Sequence, residues 1–247
     1  MRRRRARVSL TLNPGYNPAI EPRSKTRMTA KFITFEGGEG AGKSTQAALL
    51  KTRLTSMGIG VLLTREPGGS PGAEIIRHVL LSGAAKRLGP NAEALLFAAA
   101  RADHLDTVIK PALQSGHWVI CDRFLDSTRV YQGIVGKVDL PFIRGLEKLT
   151  VGASKPDLTF VLDLPAEIGL ARAHARRGEG VPDRFETEDF AYHQALNAAF
   201  RAIAVQENQR CILIDANRPP ERVAAEILQF VCKRLHPETA PLTLIAP

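Results

Sequence analysis

Eight consecutive residues carry the strongest chemical signal in this chain. Gly37-Gly38-Glu39-Gly40-Ala41-Gly42-Lys43-Ser44 matches G-x-x-x-x-G-K-[ST], and it sits directly after an apolar run, Phe32 to Phe35, and directly before a helical stretch. Glycines at this spacing let backbone N–H groups converge on phosphate oxygens, and the helix N-terminus behind them adds partial positive charge. Lys43 is expected to reach the transferred phosphate and Ser44 to ligate Mg²⁺, with Thr45 following in the first helical turn. The expected chemistry is ATP binding through residues 37–45. A GTPase would need a guanine-reading Asn-Lys-x-Asp and an Asp-x-x-Gly switch, and neither is found where it is required.

Further polar residues stand where strand candidates end. Thr64-Arg65-Glu66-Pro67-Gly68-Gly69 follows the second, Asp122-Arg123-Phe124 follows the third, and Ser127-Thr128 and Tyr131-Gln132-Gly133 come soon after. Asp122 closes an apolar strand, where open α/β sheets place their ligands; an ion pair with Arg123 is the alternative. Glu39 is a carboxylate among phosphate-binding groups and needs a reason. Phe97 on its own suits a core position, with Arg101 one helical turn beyond it. Arg172, Arg176, Arg177, Gly178, Glu179, Gly180, Asp183, Arg184 and Phe185 form an arginine-rich stretch broken by glycines, which in isolation suits a solvated helix end.

The P-loop, the R-E-P-G-G turn, the D-R pair and the Y-Q-G segment occur together in the order and at the spacing of the thymidylate kinases. The chain resembles that family over about residues 31–235. The resemblance implies transfer of the ATP γ-phosphoryl group to dTMP, giving dTDP and ADP, with Mg²⁺ as cofactor. It also implies a homodimer, built through helices such as Pro141 to Val151. By position, Glu39 matches the acidic residue that approaches the deoxyribose 3′-hydroxyl. Arg77 and Arg123 would hold the acceptor phosphate, which guanidinium groups match bidentately, and Arg65 and Pro67 belong to the acceptor turn. Phe97 would stack on thymine, Arg101 and Gln132 would bond its edge with Thr128 nearby, and Asp122 would stand near Mg²⁺ with Ser44. Gly40 occupies the place where one branch of the family carries an arginine. That resembles the bacterial branch, whose lid supplies the catalytic arginine: Arg176 or Arg177, with Arg184 as a further candidate and Arg172 on the ATP side. In relatives the Glu66–Pro67 bond is cis.

The elements that must position these residues alternate. Strands are expected at Phe32 to Phe35, Gly60 to Leu63, Trp118 to Cys121, Leu158 to Leu162 and Cys211 to Ile214, each a short apolar run suited to a strand covered on both faces. Helices are expected at Lys43 to Leu54, Ala73 to Leu81, Asn91 to Ala112, Pro141 to Val151, Pro165 to Arg177, Ala191 to Gln206 and Pro219 to Leu235. The class is therefore α/β, a mostly parallel sheet flanked by helices, and the resemblance makes it a P-loop nucleoside-monophosphate kinase fold. Residues 28–235 form the catalytic domain, with a lid near 172–189.

Bulk properties agree. The 247 residues suit one α/β domain, and 44% hydrophobic with 24% charged content is ordinary for a globular chain. Eight basic residues against Glu21 alone give residues 1–27 a net charge of +7, leaving +2 of the total +9 for the rest. The domain itself therefore has little of the charge that nucleic-acid binding requires. Residues 1–27 are expected to be a disordered basic extension, too broken for a secretory signal, and Met28 offers an alternative start. Residues 236–247 are expected to be a loose tail. Cys121, Cys211 and Cys232 suit buried thiols of a reducing, cytoplasmic compartment. No metal-ligand cluster of histidines and no membrane-spanning apolar run is found. A kinase for another acceptor is disfavoured by Y-Q-G and R-E-P-G-G. A nucleotide-switched ATPase of the partitioning kind is disfavoured by Gly38, where such proteins carry a lysine nearby.

Overall fold

The structure, a computed structural model, describes residues 29–178 and 184–235. The expectations for residues 1–27, for 236–247 and for Glu179, Gly180 and Asp183 of the lid lie outside the described residues. Five strands, β1 (Phe32–Gly37), β2 (Val61–Arg65), β3 (Trp118–Asp122), β4 (Leu158–Asp163) and β5 (Cys211–Asp215), pair in parallel in the order β2-β3-β1-β4-β5. Each falls within a few residues of its expected range.

Alternation along these strands builds two cores. Ile33 and Phe35 of β1, Trp118 and Ile120 of β3, and Leu158, Phe160 and Leu162 of β4 face one side. There they meet α1 (Lys43–Ser56) and α9 (Pro220–Leu235), whose Val223, Ile227 and Val231 recur at helical spacing. Phe32, Val119 and Cys121 face the other side and pack with Leu105 and Ile109, while Val161 meets Leu196, Phe200 and Ile203 of α8 (Phe190–Gln206). All three cysteines are buried free thiols.

The connections leave β1 and β3 in opposite directions along the sheet, so the C-terminal ends of these neighbouring strands form the topological switch point. Phe35 lies opposite Asp122 there, which brings the P-loop beside the Asp122-Arg123 pair. The remaining helices are α2 (Pro71–Leu81), α3 (Pro90–His104), α4 (Lys110–Gln114), α5 (Leu125–Thr128), α6 (Leu140–Thr150) and α7 (Ala166–Arg177).

One long helix was expected over Asn91 to Ala112, and the structure divides it. A π-helical turn, Leu105–Ile109, separates α3 from α4. Pro111 supplies the reason: it lacks an N–H, and its ring would collide with the carbonyl four residues back in a regular helix, so the wider turn relieves both problems. Among the described residues no helix is long and apolar enough to cross a membrane.

Candidate active site

The P-loop leaves β1 at Gly37 and enters α1 at Lys43. Gly40 has φ +65°, and a Cβ there would lie 1.9 Å from the carbonyl oxygen of Gly169 in α7. A Cβ on Gly169 would in turn lie 2.2 Å from the Glu39 carbonyl oxygen. Loop and helix thus touch backbone to backbone, which only glycine permits. Lys43 Nζ donates to the Gly37 and Gly38 carbonyls at 3.1 and 2.7 Å and so spans the loop. Burial, with Arg123 nearby, pushes the Lys43 ammonium down to about 8, against the pull of Glu39 and Asp122. Incoming anionic phosphates oppose that shift and favour the charged form.

Ser44 Oγ donates to the Asp122 carboxylate, so the last residue of β3 is joined to the first turn of α1. Two hard oxygen donors of this kind fit Mg²⁺. No cluster of three or more His, Cys, Asp or Glu occurs among the described residues.

Arg123 follows β3 with φ +68°, a conformation uncommon outside glycine. Its backbone N–H donates to Phe35 O at 2.9 Å, and its guanidinium reaches Gly37 O, Glu39 Oε2 and Ser127 Oγ at 3.3, 3.3 and 3.4 Å. The Tyr131 ring lies under it at 5.1 Å. The turn is held by Glu36, a fully buried carboxylate that accepts from Phe124 N at 2.8 Å, Ser127 N at 3.2 Å and Ser127 Oγ at 2.6 Å. Burial and the neighbouring Asp126 push the Glu36 carboxyl up. Burial acts on Glu39 in the same sense, but Lys43 and Arg123 outweigh it and hold that carboxyl at about 2.

A cavity of about 380 Å³ runs from Lys43, Ser44 and Thr45 past Arg123 to Pro67, Phe97, Arg101 and Gln132. Arg101 is 3% exposed, and it donates through Nε to Glu66 at 2.7 Å, through NH1 to Thr128 at 3.0 Å and through NH2 to Phe124 O at 2.9 Å. His104 closes the network between Glu66, at 3.1 Å, and Thr64, at 2.7 Å. The Glu66–Pro67 peptide is cis, and Arg77 donates to Pro67 O at 2.6 Å. Arg65 pairs with Glu74 at 3.0 Å.

Arg176 of α7 and, beyond residue 183, Phe185 and Glu186 reach the cavity. Arg176 lies 3.2 Å from Glu39 and 3.9 Å from Glu186, and Arg177 pairs with Glu186. Arg184 bonds Glu93, and Phe185 stands 6.3 Å from Phe97 and 5.4 Å from Tyr131, ring to ring.

A family model described as thymidylate kinase matches residues 35–227. A thymidylate kinase of Bradyrhizobium diazoefficiens is 57% identical over 215 residues, covering 87% of this chain and 94% of its own. The chain belongs to the thymidylate kinase family. The thymidylate kinase of Nitrobacter winogradskyi is 60% identical over 197 residues, 80% of this chain and 86% of that one. The crystal structure of the thymidylate kinase from Ehrlichia chaffeensis shares the fold at a TM-score of 0.65 and 33% identity, covering 82% of this chain and 98% of that one.

Of the residues that the likeness to thymidylate kinases singled out, Glu39, Gly40, Gly42, Lys43, Ser44, Thr45, Arg65, Pro67, Arg77, Phe97, Arg101, Asp122, Arg123, Thr128, Gln132 and Arg176 line the one cavity. Gly37, Gly38, Ala41, Arg172, Arg177 and Arg184 do not. Arg177 is turned to Glu186, and Arg172 reaches the Ala216 carbonyl at 3.4 Å. Asp122 bonds Ser44, and Arg123 turns to Glu39. Glu36, Glu66, Glu93 and His104 were missed as members of the site. Glu36 gave a usable signal, a carboxylate inside an otherwise apolar strand, which must find donors when buried.

Proposed function

We infer that the protein transfers the γ-phosphoryl group of ATP to the 5′-phosphate of dTMP, giving dTDP and ADP. The observation that carries this reading is the single cavity in which Lys43 and Ser44 stand at one end and Phe97, Arg101 and Gln132 at the other. The acceptor phosphate is ionised near neutral pH, so alignment and charge neutralisation matter more than a general base. Lys43 holds the transferred group and the P-loop amides hold the phosphates behind it. Arg123, fixed by Glu36 and the Phe35 carbonyl, grips the acceptor phosphate with Arg77, and no covalent intermediate is needed. Ser44, with Asp122 behind it, would hold Mg²⁺, which would supply charge neutralisation when bound. Glu39 stays ionised and offers an acceptor to the sugar 3′-hydroxyl. Phe97 stacks on the base.

Arg176 is the lid arginine assigned to the transferring phosphoryl group, because it alone of the Arg176–Arg177 pair reaches the P-loop side of the cavity. With the lid down, water that would hydrolyse ATP is excluded. The test is ADP formation from Mg-ATP with dTMP, dUMP, dCMP, dGMP, AMP or no acceptor. Strong preference for dTMP with little background is expected, and hydrolysis indifferent to acceptor would overturn the reading.

A homodimer through α6 is part of the proposal, supported by Leu149 at 83% exposure on that helix. Sedimentation should give twice the 26.9 kDa chain mass, and a monomer at micromolar concentration would remove it. Buried thiols support a reducing, cytoplasmic setting.

A further inference from the structure

Glu93, Phe97 and Arg101 recur every four residues along α3 and so share one face. Phe97 and Arg101 line the cavity, whereas Glu93, 5% exposed, stands behind it. Its Oε1 accepts from Gln132 Nε2 at 2.9 Å, and its Oε2 is held by Arg184. Gln132 is itself 3% exposed.

We propose that Glu93 is a positioning residue for base selection, fixing which end of the Gln132 amide the acceptor base meets; this rests on the acceptor reading above. The two ends of a glutamine amide have nearly the same shape and opposite hydrogen-bonding character. A carboxylate only accepts, so the Gln132 NH₂ must face Glu93, and the planar amide turns Oε1 to the other side. Arg184, donor only, occupies the second oxygen of Glu93. The base end of the cavity then presents the Gln132 Oε1 acceptor beside the donors of Arg101. A pyrimidine-2,4-dione complements that pair with its imide N–H and its 4-carbonyl. A 4-aminopyrimidine presents the reverse, an acceptor ring nitrogen and an amino donor, and is mismatched at both groups. Buried polar groups left unpaired in this way are what give hydrogen-bonding sites their strongest discrimination.

Glu93→Gln is close in shape but can donate as well as accept, so the Gln132 amide is released to turn over. The expected result is a fall of about tenfold or more in the dTMP-to-dCMP ratio of kcat/KM, the size of one hydrogen-bond preference lost. The dTMP-to-dUMP ratio should hold, because both bases carry the same dione edge. Glu93→Asp remains acceptor only and should keep the wild-type dTMP-to-dCMP ratio; it also serves if the glutamine variant fails to fold. Arg184→Met should lower both acceptors alike, as a lid contact does. An unchanged dTMP-to-dCMP ratio in folded Glu93→Gln, or a collapsed one in folded Glu93→Asp, overturns the proposal. If the wild-type protein does not use dTMP at all, the acceptor reading has failed instead.

Discussion

Lys43→Met is expected to lower kcat by about 10³-fold while leaving the fold intact, the scale seen when one preorganised donor is removed from a water-excluded site. Methionine keeps most of the buried stem and deletes the ammonium that bridges the Gly37 and Gly38 carbonyls. Two loop carbonyls lose a partner, but the cost of burying a charge disappears with it, so melting temperature should move by only a few degrees. Turnover and thermal unfolding measured on the same preparation check this. Near-normal turnover in the folded variant would sink the P-loop assignment. Arg176→Met should act in the same direction by a smaller factor, because its side chain is 64% exposed and water replaces part of what is lost.

Arg101→Ala is expected to destabilise the protein by about 3–5 kcal/mol, the usual result of removing one partner of a buried ion pair. Both side chains of the Arg101–Glu66 pair are 4% exposed, and Arg101 also satisfies Thr128 and the Phe124 carbonyl. The substitution therefore disturbs the turn after β2, α3 and the start of α5 together. Denaturant unfolding should show a lower midpoint with an unchanged slope. A shift below 1 kcal/mol would overturn the assignment of Arg101 as the partner that stabilises buried Glu66.

These two positions also mark how far the sequence could be read. The P-loop was legible because its function is performed by backbone geometry and a helix end, and both leave a contiguous spelling in glycines and lysine. The five strands were legible because a parallel sheet buried on both faces demands unbroken apolar runs. Arg101 was legible only through resemblance, and its ties to Glu66 and Thr128 were not, since residues 35 and 27 positions apart in sequence meet only once β2, α3 and α5 have packed. The same holds for Glu36 and Glu93: each works by accepting from donors on a distant segment, and nothing local encodes the partner. The π-helical turn Arg129–Val135 escaped for another reason. Its residues have modest helix propensity, and tertiary packing decided the backbone.

The backbone contact between Gly40 and Gly169 has an evolutionary consequence. An arginine at position 40, as one branch of the family carries, has no room while α7 rests on the loop, since even its first carbon would overlap the Gly169 carbonyl. A chain that keeps this contact therefore cannot accept an arginine at position 40 by one substitution. The helix would first have to back away, withdrawing Arg176 before the replacement could act.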